Sequence, residues 1–208
     1  MTVQHNIGGV WKAMDTCKVN IGGVWKEVAK SWVNINGVWK VEIEAFTPAI
    51  GMSYGGGIIF YIDGTGQHGL IAATSDQSTG IAWAVAAYQS TTVPAPGAIG
   101  TAIGTGLANT NAIVAQNGVG ITYAAGLCDA YTNTDTDTGI YSDWYLPSKD
   151  ELNQLYLNKD AVGVFASAYY WSSTEYGNFY AWMQNFISGP QNDGGKANTY
   201  HVRAVRAF

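Results

Sequence analysis

Charge is scarce in this chain. Only 12% of its 208 residues are Asp, Glu, Lys or Arg, and they sum to a net −5. Nucleic acid or an anionic membrane calls for a basic face, so neither is expected as the main partner. Cysteine is scarcer still. Cys17 and Cys128 fall in separate segments, and two thiols make neither a disulfide framework nor a CxxC-type metal site. Both are expected as reduced, buried side chains. No apolar run approaches the ~18 residues that a membrane span needs, so no membrane insertion is expected. The start, Met1-Thr2-Val3-Gln4-His5, lacks the basic stretch and apolar core of a secretory signal. Catalytic motifs are missing too. His5, His68 and His201 are scattered, and Gly55-Gly56-Gly57 precedes a strand where a phosphate loop would precede a helix. No Ser nucleophile elbow or metal-ligand spacing appears. The expectation is a protein that is no enzyme and takes no cofactor and no metal.

What the chain does have is glycine (26 residues), aromatics (13%) and an apolar content of 47%. Such a composition suits a loop-rich fold containing β-structure, held by aromatic packing more than by ion pairs. Its length fits one domain with an appendage, or two small domains.

An internal repeat organises residues 1–44. Asn6-Ile7-Gly8-Gly9-Val10-Trp11-Lys12 recurs as Asn20-Ile21-Gly22-Gly23-Val24-Trp25-Lys26 and as Asn34-Ile35-Asn36-Gly37-Val38-Trp39-Lys40, a period of 14 residues. A Gly-Gly or Asn-Gly pair between two β-prone runs marks a two-residue hairpin with a primed turn. About forty residues of hairpins cannot enclose a core of their own. The repeats, with Trp11, Trp25 and Trp39, are therefore read as assembly surfaces, with sugar stacking by the same tryptophans as the alternative. Residues 45–54 lose the period and read as a linker or as the first, irregular part of the next domain.

From residue 55 the pattern changes. Residues 57–63 form a strand, 64–69 its turn and 70–73 the returning strand. Residues 74–106 read as irregular, pinned by Trp83 and Tyr88. Residues 107–116, with apolar residues at Leu107, Ala108, Ala112, Ile113 and Ala115, suit a short helix stopped by Asn117-Gly118. A second helix fits 123–131, with Ala124, Leu127 and Cys128 inward. In 132–139 the alternation of Asn133, Asp135 and Asp137 resembles the start of a calcium loop. The Gly falls one place late, however, and the bidentate Glu position holds Trp144, so a solvated loop is expected. Ser148 and Glu151 form a capping box that opens a helix ending near Asn158; Asp150 and Glu151 suit its positive end and are not read as an acid/base pair.

The last forty residues carry the most information. The aromatic cluster Tyr169-Tyr170-Trp171 opens them, and a strand-like His201-Val202-Arg203-Ala204-Val205-Arg206-Ala207-Phe208 closes them. Between lies a Gly/Asn-rich run read as short strands joined by long exposed loops, pinned by Tyr180, Trp182, Met183, Phe186 and Ile187. Tyr, Ser, Gly and Asn are what binding loops favour. Arg203 and Arg206 are expected to tie the last strand to loop carbonyls or to Glu175.

At residues 144–152, 170–175 and 202–206 the chain resembles the lectin-like domain at the C-terminus of a bacterial collagen-like adhesin, also found in phage and bacterial surface proteins. The resemblance covers roughly residues 55–208. It implies an α+β fold, the C-type lectin fold of the formylglycine-generating-enzyme variety, here preceded by a small all-β hairpin-repeat segment. Neither the calcium-sugar motifs of animal C-type lectins nor the paired oxidase cysteines are present, so no activity carries across.

The final segment also resembles the variable proteins of diversity-generating retroelements, the phage tropism-determinant type. On that pattern Trp171, Ser172, Ser173, Glu175, Tyr176, Ala181, Trp182, Gln184, Asn185, Phe186, Gly189, Gln191, Lys196, Tyr200, Val202 and Arg203 are fixed. Gly177, Asn178, Phe179, Tyr180, Ser188, Pro190, Asn192, Asp193, Gly194, Gly195, Ala197, Asn198, Thr199 and His201 are the varied, ligand-binding positions. Met183 joins them as an anchor, although it would need a different template codon. The repeats are similar to those of phage tail proteins. Together the resemblances imply a receptor-binding protein of a phage tail that acts outside the cell as a homotrimer. It would contact other virion tail proteins through residues 1–44 and a bacterial cell-surface protein or glycan through its C-terminal face. The alternative is a bacterial surface adhesin or lectin unrelated to virions.

Overall fold

The computed structural model describes residues 46–133 and 139–208 with their side chains. Of residues 4–7, 10–13, 18–21, 24–27, 30–35, 38–44 and 134–135 it describes the backbone alone. The chain divides into two compact units, Met1–Thr47 and Pro48–Phe208.

In the first unit each repeat makes one antiparallel pair. These are β1 (Gln4–Ile7) with β2 (Val10–Ala13), β3 (Lys18–Ile21) with β4 (Val24–Glu27), and β5 (Lys30–Ile35) with β6 (Val38–Glu44). The register is the same in all three: Asn6 faces Trp11, Asn20 faces Trp25 and Asn34 faces Trp39. The last pair is longer and changes register between Ser31 and Trp32. The expected primed turns at 8–9, 22–23 and 36–37, the tryptophan side chains and Cys17 lie outside the described residues.

The second unit is a mixed α+β structure built mostly of sheet. Its strands are β7 (Ser53–Tyr54), β8 (Gly57–Ile62), β9 (Gly69–Ala72), β10 (Ser78–Ile81), β11 (Asn133–Asp135) and β12 (Gly139–Tyr141), then β13 (Tyr169–Glu175), β14 (Tyr180–Asn185), β15 (Gln191–Gly195), β16 (Tyr200–Val202) and β17 (Val205–Ala207). Its helices are α1 (Gly106–Asn117), α2 (Ala124–Asp129), α3 (Lys149–Leu157) and α4 (Lys159–Val162). One sheet runs β10-β16-β13-β14-β15, a second runs β17-β9-β8-β7, and β11 pairs with β12.

The strands feed two apolar clusters because successive side chains point to opposite faces. Along β8, Ile59 enters a cluster with Trp83, Ile113, Trp144 and Trp171, while Phe60 enters another with Leu152, Leu155 and Phe186. Trp171 and Tyr170 of β13 divide in the same way. A strand covered on both faces needs near-continuous apolar sequence, which the 57–62 run supplies.

Several elements differ from the sequence reading. The closing segment is two strands, not one. β16 joins the five-stranded sheet and β17 the four-stranded one, and Arg203 and Ala204 carry the chain between them. The short strands expected in the 177–199 run are β14 and β15. Trp83 is buried, its Nε1 donating to the Ser172 carbonyl (2.8 Å), but Tyr88 is only half-buried.

Helix α1 buries only part of its apolar pattern, Ile113 in the core and Ala112 against it. Leu107, Ala108 and Ala115 face out, and Asn109 and Thr110 face in. The inward polar groups serve buried and half-buried backbone atoms. Asn109 brackets Gly100 through both its N–H (3.0 Å) and its C=O (2.7 Å), and the Thr110 hydroxyl accepts from the Leu146 N–H (3.1 Å). Periodicity alone does not register that demand.

The capping box of α3 is formed, with Ser148 Oγ accepting from Glu151 N and Glu151 Oε2 accepting from Ser148 N. Glu151 Oε1 also takes the Gly104 N–H (2.8 Å), so this carboxylate staples the 104 loop to the helix. Cys128 is fully buried, and that burial pushes its thiol pKa up.

Val164 sits at φ +50° and is 85% exposed. A β-branched residue there pays about 1–2 kcal/mol and gains little packing in return. Its carbonyl accepts from Arg203 Nη2 (2.6 Å), a bond that any residue could make. Val164→Gly is expected to stabilise by about 0.5–1 kcal/mol, part of the relief being lost to glycine's entropy. Thermal unfolding checks the sign.

Candidate functional site

The positions read as varied sit on β14, β15 and the turns that join them to their neighbours, apart from His201 on β16. At the β13–β14 turn the Tyr176 and Gly177 N–H groups both donate to the Tyr180 carbonyl (3.0 and 3.2 Å), and the Lys196 N–H donates to the Phe179 carbonyl (2.8 Å). This pinned turn presents Asn178, Phe179 (56% exposed) and Tyr180 (46% exposed) to solvent. Asn192, Asp193, Ala197, Asn198 and Thr199 are exposed beside it, while Gly177 and Gly195 are half-covered.

Beneath the turn lies a buried ion pair. Lys196 Nζ meets Glu175 Oε1 at 2.6 Å, their side chains 0% and 3% exposed. The ammonium also donates to the Thr91 carbonyl (2.7 Å) and lies 4.9 Å from the Trp83 ring centre. Glu175 takes the Val93 N–H on both oxygens (3.0 and 3.2 Å). Burial lowers the Lys196 pKa and Glu175 works against that. One pair thus clamps the 91–93 segment, the end of β13 and the end of β15 under the exposed turn.

Other fixed-pattern residues hold the rest. Trp182 stands edge-to-face with Tyr176 (centroids 5.2 Å apart), with Lys149 Nζ 3.5 Å above its ring. Buried Gln184 donates to Asn153 Oδ1 and to the Gly189 carbonyl (both 2.9 Å), and Gln191 donates to Gln184 Oε1 (3.2 Å). Asn185 Oδ1 accepts the Ile187 and Ser188 N–H groups, fixing the 186–190 loop. Tyr200 packs on Trp171 and Tyr169 and accepts from Asn198 Nδ2 (3.0 Å).

The sequence reading placed some residues wrongly. Met183 is not an anchor on the surface. It is 8% exposed, sits opposite Trp171 in the sheet and belongs to the main core. Gly194 is buried, and a Cβ there would lie 2.7 Å from the Tyr200 ring and 3.2 Å from Trp171. His201 is held inward by Asp76 (Nδ1 to Oδ2, 2.8 Å) and stands off the exposed face. Ser188 and Pro190 are exposed at the far end of β14 from Tyr180, roughly 17 Å along the strand, so the exposed positions of that reading form a strip and not one patch. Tyr176 (59% exposed) and Ile187 (61% exposed) lie on the surface although one was read as fixed and the other as a pin. Arg203 ties to the Ala73 and Val164 carbonyls, and Arg206 to the Gly55 carbonyl and Asp143. Glu175 is the partner of neither.

Among the described residues no group of His, Cys, Asp and Glu side chains could hold a metal ion. The 132–139 loop lies partly outside them. No described helix is long and apolar enough to cross a membrane.

No curated protein matches this sequence. Among solved structures, a fimbrial protein from Bacteroides ovatus ATCC 8483 is similar at 18% identity with a TM-score of 0.47. That likeness covers 97% of this chain and 56% of the other, so the chain spans little more than half that protein's length. Residues 72–206 match the model of the Lcl C-terminal domain, a stretch that takes in the buried clamp and the whole exposed strip. The chain belongs to the Lcl C-terminal domain family, whose domains are of the C-type-lectin-like, adhesin kind.

Proposed function

We propose that this protein is the receptor-binding component of a phage tail, with the strip along β14 and β15 as a diversified surface for a bacterial cell-surface molecule. In this reading the second unit, with β7 (Ser53–Tyr54) paired to β8 and so part of the domain and not of a linker, adopts the C-type lectin fold of the formylglycine-generating-enzyme variety, and residues 1–44 attach the domain to other tail proteins in a homotrimer. The domain binds and does not catalyse, and needs no cofactor.

The observation that carries the reading is the division of residues 171–203 between inside and outside. Of the positions read as fixed, Trp171, Ser172, Ser173, Glu175, Ala181, Gln184, Phe186, Lys196, Val202 and Arg203 are buried. Of those read as varied, Asn178, Phe179, Tyr180, Ser188, Pro190, Asn192, Asp193, Ala197, Asn198 and Thr199 are exposed. Substitution at the second set would leave the first untouched, which is what a surface that changes without unfolding requires. Rigid aromatics beside short amides also match paratope chemistry, and a scaffold that is already ordered lowers the entropy cost of binding. Several copies on one fibre would raise avidity through effective concentration.

Tyr180→Ala and Phe179→Ala are each expected to weaken binding to intact host bacteria about tenfold or more. Asn198→Ala should weaken it less. None should move stability by more than about 0.5 kcal/mol. If all three bind like the wild type, the strip is not the contact surface. The adhesin alternative predicts the same losses. The DNA decides between them, because a retroelement leaves a near-copy of the 169–208 coding region, differing at adenines, beside a reverse transcriptase gene.

A further inference from the structure

The strip has a main-chain component. β15 is an outer strand of the five-stranded sheet, and two observed bonds fix which of its backbone groups face outward. The Asn185 N–H donates to the Pro190 carbonyl (3.0 Å), and the Lys196 N–H donates to the Phe179 carbonyl (2.8 Å). Antiparallel pairs alternate between bonded and non-bonded. With Ala181 opposite Gly194 and Met183 opposite Asn192, residues 190, 192, 194 and 196 therefore turn inward to β14. Gln191, Asp193 and Gly195 turn their N–H and C=O groups to the open edge. Of these, the Gly195 carbonyl accepts from the Asn198 N–H (2.8 Å). Among the described residues no other backbone group bonds to this outer row, which runs about 13 Å.

Exposed edges are usually blunted by lysine, proline or a bulge. Gln191-Asn192-Asp193-Gly194-Gly195 has short side chains, no register shift against β14 and no proline inside the strand. Asp193 bears the strand's one charge. In an antiparallel pair of two copies centred on it, the two Asp193 carboxylates would face each other, which disfavours self-pairing.

Resting on the binding reading above, we propose that the partner is a polypeptide and that β15 captures an extended segment of it by strand addition. The segment's backbone completes the ladder at Gln191, Asp193 and Gly195. A Lys or Arg of the segment lies opposite Asp193, and an apolar residue two places away packs on Tyr180. Main-chain pairing gives a contact that survives sequence change at the varied positions, while alternate side chains supply specificity. That combination suits a surface whose side chains vary and whose backbone does not.

The test uses the full chain, immobilised, with a phage-displayed library of random dodecapeptides, and a glycan array and intact bacteria in parallel. Selected peptides should be basic. They should lose at least tenfold in affinity when alternate backbone amides are N-methylated, and should protect the Gln191 and Asp193 amides from hydrogen exchange. Asp193→Pro removes one outward N–H and no ladder bond, so it should also cost at least tenfold; Asp193→Asn should cost less. Recovery of no peptides, indifference of the peptides to N-methylation, or continued exchange of those two amides would overturn strand addition, and none of these needs a protein variant to fold. A concentration-dependent dimer abolished by Asp193→Pro would also overturn it, placing a second copy on the edge. Glycans or cells bound by wild type and Asp193→Pro alike, but lost with Tyr180→Ala, would leave the binding reading standing and remove strand addition. If no probe binds at all, the binding reading fails with it.

Discussion

Replacing Lys196 with Met is expected to destabilise the second unit by about 3–5 kcal/mol. The size follows from what the replacement strands. The Lys196 ammonium is fully buried and shares its charge between Glu175 Oε1 and the Thr91 carbonyl. Without it, Glu175 is left as a buried carboxylate facing one backbone N–H, that of Val93. Breaking a buried pair from one side costs far more than the pair itself contributes, because the survivor has neither water nor a counter-charge. Removing both sides gives the contrast. Glu175→Leu combined with Lys196→Met should be less destabilised than either single variant, and a double-mutant cycle in urea measures the difference. If the two single losses simply add, the two groups are not coupled. The pair also clamps the segments under Phe179 and Tyr180, so Lys196→Met should weaken binding at temperatures where the wild type is fully folded.

The sequence made some of this legible and hid the rest, for physical reasons. The capping box of α3 depends on four consecutive residues and was readable at once. The division of the last forty residues into fixed and varied positions came from resemblance, and burial follows it only in part: Met183 and Gly194 are buried and Tyr176 is exposed. The corrections share a cause. The resemblance puts Met183 and Gly194 among the varied positions and the apolar pattern includes Leu107, but their places depend on distant partners: Asn109 faces inward to Gly100, Met183 lies opposite Trp171, and Tyr200 sits over Gly194. The arginines show the same limit. That Arg203 and Arg206 would bind carbonyls could be argued from their isolation in an apolar strand. That Asp76 and Asp143 would be their carboxylates, 127 and 63 residues away in sequence, could not. The outward row of β15 was hidden as well, since ladder phase is a property of paired strands and not of either one.

Asp76→Ala is the second large loss expected, again about 3–5 kcal/mol, and its pattern differs from that of any surface variant. One carboxylate receives three side chains: Arg203 Nε at 2.7 Å, the Tyr170 hydroxyl at 2.8 Å and His201 Nδ1 at 2.8 Å. They come from β13, β16 and the crossover between the two sheets, so Asp76 holds the point where the sheets exchange the chain. Without it the Arg203 guanidinium, 1% exposed and 4.1 Å from the Phe165 ring centre, keeps two carbonyls and no counter-charge. Asp76→Asn keeps the shape and part of the hydrogen bonding, so it should lose less, whereas Arg203→Lys, without the planar fork, should not restore the site. Asp76 lies off the exposed strip, so its loss acts on binding only by unfolding the domain. Asp76→Ala should therefore bind normally well below its own melting temperature and fail as that temperature is approached. Tyr180→Ala should bind poorly at every temperature while melting like the wild type. If the two variants instead weaken binding alike in the cold, the division into a supporting interior and a contacting surface is wrong, and the role given to the strip along β14 and β15 falls with it.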